Sequence, residues 1–173
     1  MRPLLRRVLA AVVLIALLAA TASGASAEPA PDARIDTVED WIWPVPTGVR
    51  VVARYVAPAH AYGAGHRGVD LAATIGSDVI APTSGSVAFA GAVVDRPLLT
   101  IDHGAGLVTT LEPVRSDLAP GDHVSRGDVV GQVAWGGHAA ADSVHFGVRL
   151  YGEYVNPLLL LGGVPRAILL PCC

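Results

Sequence analysis

The sequence predicts an all-β domain, an antiparallel sandwich or open barrel of short strands, on three observations. The chain from Trp41 onward breaks into apolar runs of strand length, and clusters of Gly, Pro, Asp and Ser separate them. No stretch before Pro157 carries a sustained helical period with caps. In order, the runs are Val49–Tyr55, Asp78–Ala81, Gly85–Ala92, Leu98–Asp102, Leu107–Leu111, Asp128–Val133 and Val144–Leu150. Pro82-Thr83-Ser84-Gly85, Asp102-His103-Gly104-Ala105-Gly106 and Ala119-Pro120-Gly121-Asp122 supply turns between them. Many short strands joined in this way fit a sandwich or barrel. Asn156 followed by Pro157–Leu161 predicts one helical turn that closes the domain.

The segments flanking this pattern have a different texture. Met1–Arg7 carries three arginines, Val8–Ala20 is an unbroken apolar run, and Ala25-Ser26-Ala27 is a small-x-small cleavage site. That order predicts a secretory signal peptide over residues 1–27. The apolar run falls short of the ~20 residues of a comfortable membrane span, which leaves an uncleaved anchor as the alternative. Cleavage leaves 146 residues with nine Arg and no Lys against fifteen acids, a net charge of −6. A secreted or cell-envelope domain of that charge, with no basic run, excludes nucleic acid as a partner, and no membrane contact is expected once the leader is gone. Residues 28–40 read as a Pro-rich acidic linker, 41–163 as the folded domain and 164–173 as an apolar tail. The tail ends in adjacent Cys172 and Cys173. Neighbouring Cα atoms lie ~3.8 Å apart, closer than disulfides usually span, so a strained vicinal bridge, an intermolecular bond and free thiols all stay open.

Six histidines, His60, His66, His103, His123, His138 and His145, fall in the mature chain. His66 and Asp70 are four residues apart, so in an extended segment both side chains share one face. In Ser143–Leu150 the alternation is clean: Val144, Phe146, Val148 and Leu150 form an apolar face, with Ser143, His145, Gly147 and Arg149 opposite. A catalytic zinc takes three His or carboxylate ligands and keeps a fourth position for water. His66, Asp70 and His145 would supply such a set, although spacing alone does not separate it from a loop His beside a turn Asp.

Gly65-His66-Arg67-Gly68-Val69-Asp70-Leu71-Ala72, then Ile80-Ala81-Pro82 and Gly85–Gly91, resemble the lysostaphin/LytM-type zinc metallopeptidases. The likeness continues through Thr100–Gly104, Gly121–Val124, Gly127–Gly131 and Val144–Arg149, in matching order from about Trp41 to Leu161. The resemblance implies the all-β peptidase fold and zinc on His66, Asp70 and His145. It also implies hydrolysis of peptide bonds in peptidoglycan stems or cross-bridges by a metal-activated water.

Two positions depart from the family pattern. The first His of the family's His-x-His strand is Ser143, and Pro113 stands where a second histidine closes the strand after Gly106-Leu107-Val108-Thr109. The resemblance gives those histidines the work of polarising the water and stabilising the oxyanion. General acid–base help is worth ~10²–10⁴-fold and an oxyanion donor ~10²–10³-fold. Ser143, Arg149 and His138, in the Gly136-Gly137-His138 loop, are the candidate substitutes, with His138 the best suited in basicity. Glu112 and Asp142 sit one residue from the departing positions, where strand parity turns them to the other face, and they are expected to be solvated loop residues. His103 is expected in a hairpin turn, His123 in a short strand and His60 in a loop. Trp41, Trp43, Tyr62, Trp135, Tyr151 and Tyr154 are either groove lining or ordinary packing.

Two readings therefore stand. One is an exported zinc metalloendopeptidase for peptidoglycan peptides, weakened by Pro113 and Ser143. The other is a non-catalytic peptidoglycan-binding domain, or one that regulates a cell-wall hydrolase partner, keeping its zinc.

Overall fold

A computed structural model describes residues 41–46, 48–60, 62–137 and 140–162. The expected signal peptide and linker, His138 and the Cys172–Cys173 tail lie outside the described residues. Eleven strands are present among those described: β1 (Val51–Ala53), β2 (Val69–Ala72), β3 (Asp78–Ile80), β4 (Gly85–Val93), β5 (Arg96–Asp102), β6 (Leu107–Glu112), β7 (Val114–Arg115), β8 (His123–Val124), β9 (Val129–Val133), β10 (Ser143–Leu150) and β11 (Glu153–Val155). Every pairing between these strands is antiparallel, in agreement with the predicted class. The eight-stranded sheet runs β1-β2-β10-β6-β5-β4-β8, with β11 also on β10, and a smaller sheet runs β3-β9-β7. The expected helical turn is a 3₁₀ turn, Pro157–Leu159, where the Asn156 side chain accepts the Leu158 N–H.

The core forms on the inner faces. Val69 and Leu71 of β2, Leu99 and Ile101 of β5, Leu111 of β6 and Val144, Phe146 and Val148 of β10 are all fully buried, with Val79, Val114 and Val130 of the smaller sheet. Each such side chain stabilises the fold by roughly 1.5–3 kcal/mol. The consequence for function is register. Sliding β10 by one residue would swap Val144, Phe146 and Val148 for Ser143, His145 and Gly147 in the core, so burial fixes which side chains face the groove.

Candidate metal centre

Strand β10 lies between β2 and β6, and its register decides the site. His145 is directly opposite Asp70 on β2 and directly opposite Glu112 on β6. Cross-strand partners project from the same face, so three polar side chains meet on the side away from the Val144, Phe146 and Val148 core. His66 arrives by another route. It precedes β2 in an isolated bridge, its N–H donating to Val56 O and its carbonyl accepting Val56 N–H, both at 2.9 Å. The chain bends at Arg67 and Gly68 before β2 begins, so the extended segment expected from His66 to Asp70 is interrupted while its outcome, two side chains on one side, holds.

Three donor atoms form a small triangle. His66 Nε2 lies 3.0 Å from Asp70 Oδ1, His145 Nδ1 lies 2.8 Å from the same oxygen, and the two nitrogens are 3.1 Å apart. Gly68 makes this possible. A Cβ at that position would lie 2.5 Å from Phe146 O and 2.6 Å from the His145 ring, so a side chain there would displace the imidazole or the strand. Burial pushes the Asp70 carboxyl upward, but the hydrogen bond from His145 and the charges of both imidazoles outweigh it and hold it below the usual carboxylate value.

The donor set fits a divalent cation. His66 Nδ1 lies 2.8 Å from the Arg54 carbonyl, which only accepts, so Nδ1 carries the ring proton. In the neutral ring Nε2 is then an acceptor aimed at a carboxylate oxygen. A proton on His145 Nδ1 can serve Asp70 but not His66 at the same time. One cation satisfies all three atoms. Zinc bonds of ~2.0–2.1 Å in tetrahedral geometry put ligand atoms ~3.3 Å apart, and a slight opening of the triangle reaches that. A backbone carbonyl holding the remote nitrogen of a ligand histidine is the usual outer support of such a centre. Among the described residues, His66, Asp70 and His145 are the group of His, Cys and acidic side chains close enough to share an ion.

A groove of about 370 Å³ opens beside the triangle, lined among others by Arg67, Arg96, Glu112, Gly147, Arg149 and Tyr154. Glu112 corrects the sequence expectation. It is not a solvated loop residue but the buried last residue of β6, facing the groove, with Oε2 accepting Arg96 Nε–H at 2.7 Å. That hydrogen bond, with the charge of Glu112, raises the Arg96 guanidinium above its ordinary value. Parity along the chain fails here because the groove-facing parity of β6 is set by His145 opposite Glu112, not by Pro113. Arg149 lines the groove as its parity predicts.

Ser143 and Pro113 are not among the residues that line the groove. Both line a separate hollow of about 220 Å³ with Trp135, Gly136, Gly137 and Asp142. The Ser143 hydroxyl is buried and donates to Ala140 O at 2.6 Å. Asp142 is an exposed turn residue, as expected, with φ of 58°. The remaining histidines are accounted for locally. His103, in the turn after β5, lies 2.9 Å from Ser84 O and 2.7 Å from the Thr109 hydroxyl, edge-on to Trp41. His123 begins β8 and bonds Ser86, and His60 is exposed. Of the aromatic candidates, Tyr154 lines the groove and Trp135 the hollow, while Trp41 is core. Gly68 and the Arg54 carbonyl are the site features that sequence reasoning misses. Gly68 stands inside the motif with no side chain to suggest a role, and a backbone carbonyl leaves no sequence signal.

Known proteins share this sequence pattern and fold. Residues 64–157, just over half of the chain, match the family described as Peptidase family M23. The chain belongs to that family. An uncharacterized protein of Mycobacterium tuberculosis is 38% identical over 167 residues, covering 92% of this chain; the chain spans 64% of that relative's length. Among solved structures, the catalytic domain of a point mutant of the prophage-encoded M23 protein EnpA from Enterococcus faecalis is 25% identical with a TM-score of 0.56, covering 66% of this chain and 95% of its own. The SpoIIQ–SpoIIIAH pore-forming complex contains a chain 25% identical with a TM-score of 0.62, at 72% and 92% coverage. The catalytic domain of the antimicrobial peptidase lysostaphin from Staphylococcus simulans shares the fold at 21% identity, with a TM-score of 0.57 and coverage of 66% and 92%.

Proposed function

We propose that this M23 domain is an exported zinc metallopeptidase acting on the peptide part of peptidoglycan, with a reduced apparatus for proton transfer. The observation that carries the reading is the convergence of His66 Nε2, Asp70 Oδ1 and His145 Nδ1, with the far nitrogen of His66 committed to the Arg54 carbonyl. Zinc, when bound, polarises a peptide carbonyl and acidifies water. The chain's own residues do the rest. His66, Asp70 and His145 hold the ion, Gly68 gives His145 room, and the groove along β10 receives an extended peptide. Glu112, held by Arg96, places a carboxylate on the groove wall outside the metal set. Export and a cell-envelope location belong to this reading, supported by the leader pattern of residues 1–27.

A second reading is favoured by one specific observation. Ser143 spends its hydroxyl on Ala140 O and lines, with Pro113, a hollow distinct from the groove. A domain so built would bind wall peptides, or a hydrolase partner, without cutting. One experiment separates the two. The purified chain is assayed for metal, where about one zinc per chain is expected and the His145→Ala variant is expected to lose it. Both proteins are then incubated with cross-linked peptidoglycan and the soluble fragments are weighed by mass spectrometry. New peptide termini that disappear with His145→Ala support the hydrolase. Intact wall that pellets with the protein supports the binder, and a metal-free wild-type protein sinks both.

A further inference from the structure

The groove carries more positive charge than the metal centre accounts for. Three of the seven arginines among the described residues, Arg67, Arg96 and Arg149, line it, in a chain whose net charge is −3. Arg96 is matched by Glu112, with Asp95 at 3.7 Å. Glu112 is the one acid among the groove's described lining residues, and Asp70 belongs to the triangle. Arg149 therefore faces the groove with no carboxylate paired to it among the described residues.

Its placement is specific. The guanidinium carbons of Arg67 and Arg149 lie 5.9 and 5.8 Å from the centre of the same ring, that of Tyr154. Stacking on an aromatic face holds a guanidinium in a fixed plane. Arg149 Nε is buried with no hydrogen-bond partner among the described residues. A buried donor without an acceptor costs free energy, so internal bonding does not explain the pose of this side chain. Arg149 also shares the groove face of β10 with His145, and Gly147 between them leaves the floor open. At ~3.3 Å per residue, an extended peptide lying along β10 with one bond at the metal triangle would bring a side chain or terminus within about four residues of that bond to Arg149.

We propose that Arg149, held against the Tyr154 ring, is a subsite that anchors a carboxylate of the bound peptide within about four residues of the bond presented to the metal. The planar guanidinium fork suits a carboxylate, which accepts two parallel N–H bonds. The subsite rests on the proposed peptide-binding function of the groove, and it selects among wall peptides by their charge at one position.

The test uses the metal-loaded chain and two synthetic stem peptides identical except that one carboxylate is replaced by the carboxamide. Binding is followed by calorimetry and cleavage by mass spectrometry. The free carboxylate is expected to bind roughly tenfold tighter, the scale of one charge-assisted hydrogen bond. Arg149→Gln is expected to bring the two peptides within about twofold, again on that scale, with metal content unchanged. Arg149→Lys keeps the charge without the fork and should fall between; it also serves if Arg149→Gln fails to fold. Equal binding of both peptides by the wild type, or tenfold discrimination surviving in Arg149→Gln, overturns the subsite. Discrimination without cleavage keeps the subsite and removes the hydrolase reading, while cleavage without discrimination does the reverse. Failure of both peptides to bind overturns both.

Discussion

The groove at the triangle and the hollow beside it sit at opposite ends of one chemical specification. In the groove, each atom needed to hold an ion is present, and each is oriented by something further out: a carbonyl for His66, a strand register for His145 and Asp70. In the hollow, the two positions that the family resemblance gives to proton-handling histidines are Ser143 and Pro113. One has a hydroxyl turned to a neighbouring carbonyl, and the other has no polar side-chain atom. On the proposed function, the difference would make ion capture and proton transfer separable in this fold. The first would rest on the sheet's register, whereas the second would rest on two buried positions, Ser143 at the start of β10 and Pro113 just after β6.

That separation can be broken or sharpened by mutation. The largest effect is expected from placing histidines at the two positions where the family resemblance has them. Ser143→His combined with Pro113→His should raise the rate of peptide hydrolysis by ~10²-fold or more, read as the initial rate of new amino termini, with metal content constant. A flat rate at full metal loading would place the deficit elsewhere. Attacking the other region should leave the hollow untouched. Gly68→Ala drives a methyl group to within 2.6 Å of the His145 ring, and metal affinity should fall ~10–100-fold, as for other losses of outer support. Competition with a chelator of known affinity measures it, and an unchanged constant would show that the ring has room to yield.

The smallest effect serves as a control far from both regions. Burial lowers the His103 pKa below 6.5, more than the Ser84 carbonyl and the Asp102 charge raise it. The folded protein therefore keeps this ring neutral at a pH where the unfolded chain takes up a proton. Its contribution is complete above pH 6.5 and is lost as the pH falls from there toward the folded value, by at most about 1.4 kcal/mol per pH unit. Denaturant unfolding of wild type and His103→Gln from about pH 7.5 down to about 5, a range that brackets the ordinary histidine pKa, should show a steeper decline in the wild type. Parallel curves would contradict the assignment.

Much of this is legible in the sequence, for reasons that differ from element to element. β10 is readable because Val144, Phe146 and Val148 alternate with polar residues, and that period places His145 and Arg149 on the groove face. The metal set follows from its resemblance to a known motif and not from spacing, since the chain bends at Arg67 and Gly68 where spacing assumes extension. β2 escapes a reading by period because three of its four residues, including Asp70, are buried, which erases the alternation. β7 and β11, with two and three residues, are too short to carry a period. Glu112 is misplaced by sequence reasoning because chain parity cannot say which parity faces a neighbour; only pairing with His145 does.

The bond from His66 to the Arg54 carbonyl has a reach beyond the centre itself. Arg54 directly follows β1, a three-residue border strand joined to β2 through two paired positions with an irregular step between them. An ion held at Nε2 would strengthen the hydrogen bond that Nδ1 donates to that carbonyl, so loading the centre would tighten the sheet's outermost hem. Order along Val51–Ala53 would then be a gauge of occupancy, and amide exchange there would report, from the margin of the sheet, whether its middle is filled.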